Sequence, residues 1–218
     1  MKKLYAIVFM AMLVFTGKAF AEMTYGVSAA LTKVDASGSE TEGGERTEGS
    51  AHNTVVIPSL FVEYAYSDTI SVGLDYIPLS ADVSSKTKKR TDTETSVTGT
   101  ATKTSTTRNQ SAQAELDNHI TLYGNYNMTD TMYFKVGLVR VDLNTDESLG
   151  TGSKYGNETL NGGLFGIGAQ SGNSRFELTY TDYEDVSLKS SVARTGVTTN
   201  NKIDADLDTV AFKYSYAF

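Results

Sequence analysis

Apolar and polar residues alternate strictly along much of the chain. Between residues 70 and 79, Ile70, Val72, Leu74 and Tyr76 fall on one side and Ser71, Gly73 and Asp75 on the other. At the end of the sequence Val210, Phe212, Tyr214, Tyr216 and Phe218 are opposed by Thr209, Ala211, Lys213, Ser215 and Ala217. Successive side chains of an extended strand point to opposite faces, so the pattern predicts strands whose two faces meet different solvents. Read throughout, it predicts eight strands, at residues 23–34, 54–66, 69–79, 118–127, 132–144, 159–171, 175–186 and 205–218. Past the first twenty residues or so, no window keeps the spacing of an amphipathic helix.

The connections alternate too. Ser67-Asp68, Thr129-Asp130 and Gly172-Asn173 make tight polar turns, whereas the other four connections are long and rich in Ser, Thr, Gly and charge. Long loops at one end and short turns at the other predict an all-β fold: an eight-stranded antiparallel up-and-down transmembrane β-barrel with short periplasmic turns and four long extracellular loops. Only a closed sheet leaves no backbone group without a partner in lipid.

The two faces then sort themselves. Tyr25, Val27, Ala29, Leu31, Leu60, Val62, Tyr64, Ile120, Leu122, Tyr126, Phe176, Leu178 and Tyr180 form an apolar set that meets lipid. The opposing set carries Ser28, Asn125, Glu63, Asp75, Lys135, Glu177 and Lys213. Lys or Arg on the lipid face at mid-depth costs about 2–4 kcal/mol, so the charges are expected inside. Glu63, Asp75, Lys135, Glu177 and Lys213 come to similar heights when counted from the periplasmic turns, and together predict a charge network in the lumen. Glu177 and Lys213, on neighbouring strands, are the first pair expected, with Asp75 or Glu63 as other partners for the lysine. Tyr25, Tyr64, Tyr66, Tyr126, Tyr214 and Tyr216 near strand ends predict an interfacial girdle in a chain without Trp. One strand fits poorly: after Phe134, Val136 and Leu138 the outward set reaches Arg140 and Asp142, while Val139, Val141 and Leu143 fall inside. Either Arg140 stands above the membrane or a bulge after Leu138 shifts the phase.

The first segment is not part of this pattern. Lys2 and Lys3, an apolar run at 4–15 and the small residues of Ala19-Phe20-Ala21 predict an export signal at 1–21, leaving a barrel domain at 22–218. Loss of Lys2, Lys3 and Lys18 takes the 19 basic residues to 16 against 26 acidic ones, a formal charge of -10. That balance argues against nucleic acid as a partner. With no Cys and two His, thiolate metal centres and thiol nucleophiles are excluded.

On these residues the chain resembles the small eight-stranded outer-membrane β-barrels, the superfamily of the opacity proteins and of the transmembrane domain of OmpA. The sharpest piece is Phe212-Lys213-Tyr214-Ser215-Tyr216-Ala217-Phe218, similar to the family's assembly signal, with Phe212, Tyr214, Tyr216 and Phe218 as its alternate aromatics. A second is Arg175-Phe176-Glu177-Leu178-Thr179-Tyr180-Thr181-Asp182-Tyr183-Glu184-Asp185-Val186, similar to the family's seventh strand. The resemblance implies the outer membrane of a Gram-negative type cell envelope and the barrel assembly machinery as a partner. The Trp-rich pattern of the OmpW branch is missing.

Catalysis is not expected. His52 and His119 sit at strand tops, and Asp117-Asn118-His119-Ile120-Thr121 lacks the Ser that the deacylase motif of such barrels requires, although Asp117 and His119 make a conceivable acid–His pair. No cofactor or metal is implied: the acidic loop at 35–53, with Glu40, Glu42, Glu45 and Glu48, lacks the spacing of a calcium loop. The low-complexity tract at 81–116, with Lys86, Lys88, Lys89 and Arg90, is suited to lipopolysaccharide phosphates, is read as solvated surface loop, and is expected to be dispensable for folding. The function expected is that of an integral outer-membrane barrel, in contact with outer-membrane lipid, with a side-chain-filled lumen and a structural, loop-displaying role. The alternative is a narrow passive pore for ions or small solutes; eight strands leave an interior just wide enough for side chains.

Overall fold

In a computed structural model, residues 23–42, 45–84, 87–98, 102–148, 154–191 and 200–218 are described; the expected export signal lies outside them. The strands are β1 Met23–Glu42, β2 Glu45–Ala65, β3 Ile70–Ile77, β4 Ala81–Asp82, β5 Lys88–Thr98, β6 Thr102–Asn127, β7 Met132–Ser148, β8 Glu158–Ser171, β9 Ser174–Tyr183, β10 Val186–Lys189 and β11 Lys202–Ala217. They form one antiparallel sheet whose ring runs β1-β2-β3-β6-β7-β8-β9-β11 and closes by pairing of β1 with β11. The fold is the eight-stranded up-and-down barrel. β4 and β5 continue the β3 column along β6, and β10 continues β9 along β11.

Outside, Tyr25, Val27, Leu31, Leu60, Leu122, Phe134, Val136, Leu138, Phe165, Phe176, Leu178, Phe212 and Phe218 are exposed as an apolar belt. On β11 the belt runs from Phe218 to Val210, about 27 Å of strand, which at the usual tilt of about 40° stands about 20 Å tall. Asp182, Asp208 and Asp35, opposite one another on β9, β11 and β1, mark its upper limit. Tyr25, Tyr66, Tyr126, Tyr214 and Tyr216 are exposed at its lower rim, and Tyr64 is half-buried there.

Alternation never breaks on β7; the solvents change places. Phe134, Val136 and Leu138 face out and are followed by exposed Arg140, while Tyr133 and Lys135 face in and are followed by buried Val139, Val141 and Leu143. Arg140 therefore stands above the apolar belt, and β7 needs no bulge. The irregularity lies on its neighbour: between Asp117 and Ile120, β6 holds one residue more than β7, with Asn118 at φ 51° and its Nδ2 donating to Asp142 at 3.1 Å.

The two expected acidic and basic loops are corrected by the strands. β1 and β2 pair through 35–53 up to Glu42 and Glu45, and much of 81–116 lies in β4, β5 and β6, with Val83 and Leu116 buried. Ladder bonds and a share of the interior hold what composition alone reads as mobile loop.

Candidate functional site

The bore is the place where chemistry-bearing side chains converge, and it has two storeys. In the lower one, β2, β3, β7, β9 and β11 bring together all five sequence-predicted charges. Glu63, Asp75, Lys135 and Glu177 are buried, and the Lys213 side chain is 14% exposed. Each ion pair skips at least one strand of the ring. Lys213 Nζ donates to Asp75 Oδ2 at 2.7 Å, joining β11 to β3 past two intervening strands, and Ser59 Oγ donates to the same oxygen at 3.2 Å. Lys135 Nζ donates to Glu177 Oε1 at 2.5 Å, joined by the Tyr133 hydroxyl at 2.6 Å.

Two differences from the sequence reading follow. Lys213 and Glu177 are directly opposite in the β9–β11 ladder, yet each takes its closest partner elsewhere; the bore is narrow enough that a side chain aimed inward reaches the far wall as easily as its neighbour. The lysine's partner is Asp75, the alternative held open. The second difference is Arg175, not counted among the inward charges. It forks onto Glu63, Nη1 to Oε2 at 2.8 Å and Nη2 to Oε1 at 3.1 Å, and this bidentate geometry is the strongest form of such a pair. Its odd number, shared with Glu177, was the available signal. Asn125 Nδ2 and the Tyr123 hydroxyl also donate to Glu63 Oε2, at 2.9 and 3.1 Å. With three carboxylates against three cations, the charges of this storey cancel.

Two tyrosines complete the filling because glycines make room for them. Tyr123 lies against Gly73 and Tyr133 against Gly168, each directly opposite across a ladder; a Cβ at either glycine would fall 2.2–2.3 Å from ring carbon Cζ. Lys135 Nζ sits 4.1 Å from the centroid of the Tyr123 ring.

The upper storey is apolar. Val34, Val83, Leu116, Val139, Val141, Leu143, Leu160, Tyr183, Val186, Leu188 and Leu207 pack together inside the barrel above the charges, with Val141 and Leu160 wholly buried. His119 lies between the storeys, its Nε2 3.1 Å from the Tyr183 hydroxyl and its Nδ1 buried with no hydrogen-bond partner among the described residues. His52 is exposed on β2. Asp117 accepts from the Asn118 amide at 2.8 Å. At the rim, the Tyr155 hydroxyl donates to Glu40 Oε1 at 2.8 Å, and burial together with that carboxylate pushes its ionisation well above the ordinary tyrosine range.

Of the aromatic C-terminal pattern, Phe212, Tyr214 and Tyr216 on β11 and Phe218 just past its end are all exposed on the outer surface. The Phe218 amide donates to the Tyr25 carbonyl at 2.8 Å and the two rings stack 6.0 Å apart, where the last strand meets the first.

A closed antiparallel barrel with an apolar belt outside and paired charges inside is an outer-membrane β-barrel. Comparison with solved structures agrees on the fold. The chain is similar to the outer membrane protein OprG from Pseudomonas aeruginosa, 15% identical, covering 89% of this chain and 96% of that one at a TM-score of 0.50. It is also similar to the outer membrane protein AlkL, 14% identical, covering 90% of each chain at a TM-score of 0.51. No protein-family model matches the chain, and no curated protein does.

Proposed function

We propose that this protein is a closed outer-membrane barrel that works through its extracellular strands rather than by passage through its bore. One observation carries the reading: the bore is filled twice over, by three cross-bore ion pairs below and by a packed apolar cluster above. An ion would have to displace the first and then cross the second without water. The strands meanwhile continue well beyond the belt. β6 runs from Asn127 at the periplasmic end to Thr102, and β1 and β2 pair as far as Glu42 and Glu45. Outer-membrane lipid surrounds the belt. The exposed Lys89 and the other basic positions of the 81–116 tract suit lipopolysaccharide phosphates, and the outward aromatics ending at Phe218 suit recognition by the assembly machinery.

The test is single-channel recording of purified protein in a planar bilayer. Few or no steady openings are expected. Steady conductance that disappears when Lys135, Arg175 and Lys213 are exchanged for neutral residues would replace this reading by the narrow pore.

A further inference from the structure

Above the rim, β5 is paired along one edge only among the described residues. It pairs with β6 from Lys88↔Ala112 to Thr98↔Thr102, and among the described residues nothing pairs with its other edge. The β6–β7 ladder ends at Ser111↔Ser148, and Ser111 is opposite Lys89. From Arg90 outward, therefore, β5 and β6 pair only with each other among the described residues, as a two-stranded ribbon. Such a ribbon is marginal in water, and an open edge is a template for another strand.

The residues along that edge are ordered in a particular way. Lys88, Arg90, Asp92 and Glu94 occupy alternate positions, which share one face of a strand, in the sequence plus, plus, minus, minus. Laid antiparallel against a second β5 with Thr91 opposite Thr91, this puts Lys88 opposite Glu94 of the second copy and Arg90 opposite its Asp92. The two-fold axis repeats both pairs, giving four opposite-charge pairs on one face. Slipping the register by one pair either way sets Asp92 or Arg90 against itself, and parallel pairing in register sets every charge against its like. The charge order fits one partner in one arrangement.

We infer that the free edge of β5 pairs antiparallel with β5 of a second copy of this chain, making two ribbons into one four-stranded sheet. β5 runs away from its barrel from Lys88 to Thr98, so the antiparallel copy has its barrel at the opposite end. The contact joins protein in two facing membranes, a homotypic tether. It builds on the reading that the extracellular strands are the working part, and conductance, which tests that reading, is indifferent to it.

The test uses full-length protein in two populations of lipid vesicles carrying donor and acceptor dyes. Wild-type vesicles are expected to tether, less so at high salt. The variant K88E/R90E/D92K/E94K keeps the net charge but reverses the order. It is expected to tether to itself and to lose tethering to wild type by about tenfold or more, as four opposed like-charge pairs replace four attractive ones. Because the chain has no Cys, Thr91→Cys and Thr98→Cys give single reporters. The first should form a cross-linked dimer with a short bis-maleimide and the second should not, with heat-modifiable migration reporting that each barrel is folded. Wild-type vesicles that stay apart, a reversed variant that tethers equally to wild type and to itself, or equal cross-linking at both positions overturns the inference.

Discussion

Replacing Lys213 by Met removes the cation that faces Asp75 across the bore. Asp75 is 4% exposed, its only other hydrogen-bond partner among the described residues is the Ser59 hydroxyl at 3.2 Å, and the lysine contact at 2.7 Å is the shorter and the charged one. A buried ion pair broken on one side costs about 3–5 kcal/mol, chiefly because the remaining charge is uncompensated. Removing that charge as well, with Asp75→Asn, should recover much of the loss. The double-mutant cycle of Lys213 and Asp75 is then expected to show a coupling of about 2–3 kcal/mol, against about 0.5 kcal/mol or less for Lys213 with Glu177. Glu177 is the sharp control, since it is the ladder neighbour of Lys213 but bonds Lys135 and Tyr133. Equilibrium unfolding in urea from lipid vesicles measures each variant. If the losses at Lys213 and Asp75 simply add, or if the lysine couples more strongly to Glu177, the cross-bore pairing is wrong.

Further outcomes are expected at four other places. Gly73→Ala should destabilise by about 1–3 kcal/mol by crowding the Tyr123 ring, and Leu74→Arg by about 2–4 kcal/mol through the lipid face; Gly73→Ala combined with Tyr123→Phe, which removes the hydroxyl but not the ring, should regain little in the same unfolding assay. Trimming the ribbon between Lys88 and Ala112 to a short turn should leave the barrel heat-modifiable and nearly as stable, whereas cutting from Ser80 to Asp117 removes buried Val83 and Leu116 and should lower stability measurably. Deleting Phe218 should reduce folded protein in outer membranes far more than it lowers the urea midpoint of purified barrel, because its share in the folded state is one backbone hydrogen bond and ring contacts with Tyr25 and Tyr216 on the outer surface.

The barrel and its belt were legible because a sheet between lipid and a polar bore alternates with a period of two, and because Gly172-Asn173 and the other tight turns punctuate it. The five lumen charges were legible for the same reason. Their partners were not: Lys213 and Asp75 lie 138 positions apart, and which inward side chain meets which depends on tilt and bore width, properties of the closed ring rather than of any segment. The strands above the belt escaped because 35–53 and 87–112 carry Thr, Ser, Gly and charge at successive positions, so the apolar–polar alternation that a period-two reading needs is missing there.

Val139, Val141 and Leu143 show what that method cannot supply by itself. Alternation says that two faces differ; it does not say which face is inside. Within the membrane the apolar face is outside, because lipid is there, and charges pair inward. Above it water surrounds the barrel, so the same strand must send its apolar residues inward, as a soluble protein does, and turn Arg140 out. A strand long enough to cross that boundary changes the chemistry of its faces without changing its phase. What appears on β7 as a register error is thus the position of the membrane surface, and Lys33, Arg140, Asp182 and Asp208 locate it on four strands. The apolar upper storey is a consequence of that boundary: strands that continue into water must bury something, and the only place left to bury it is the mouth of their own bore.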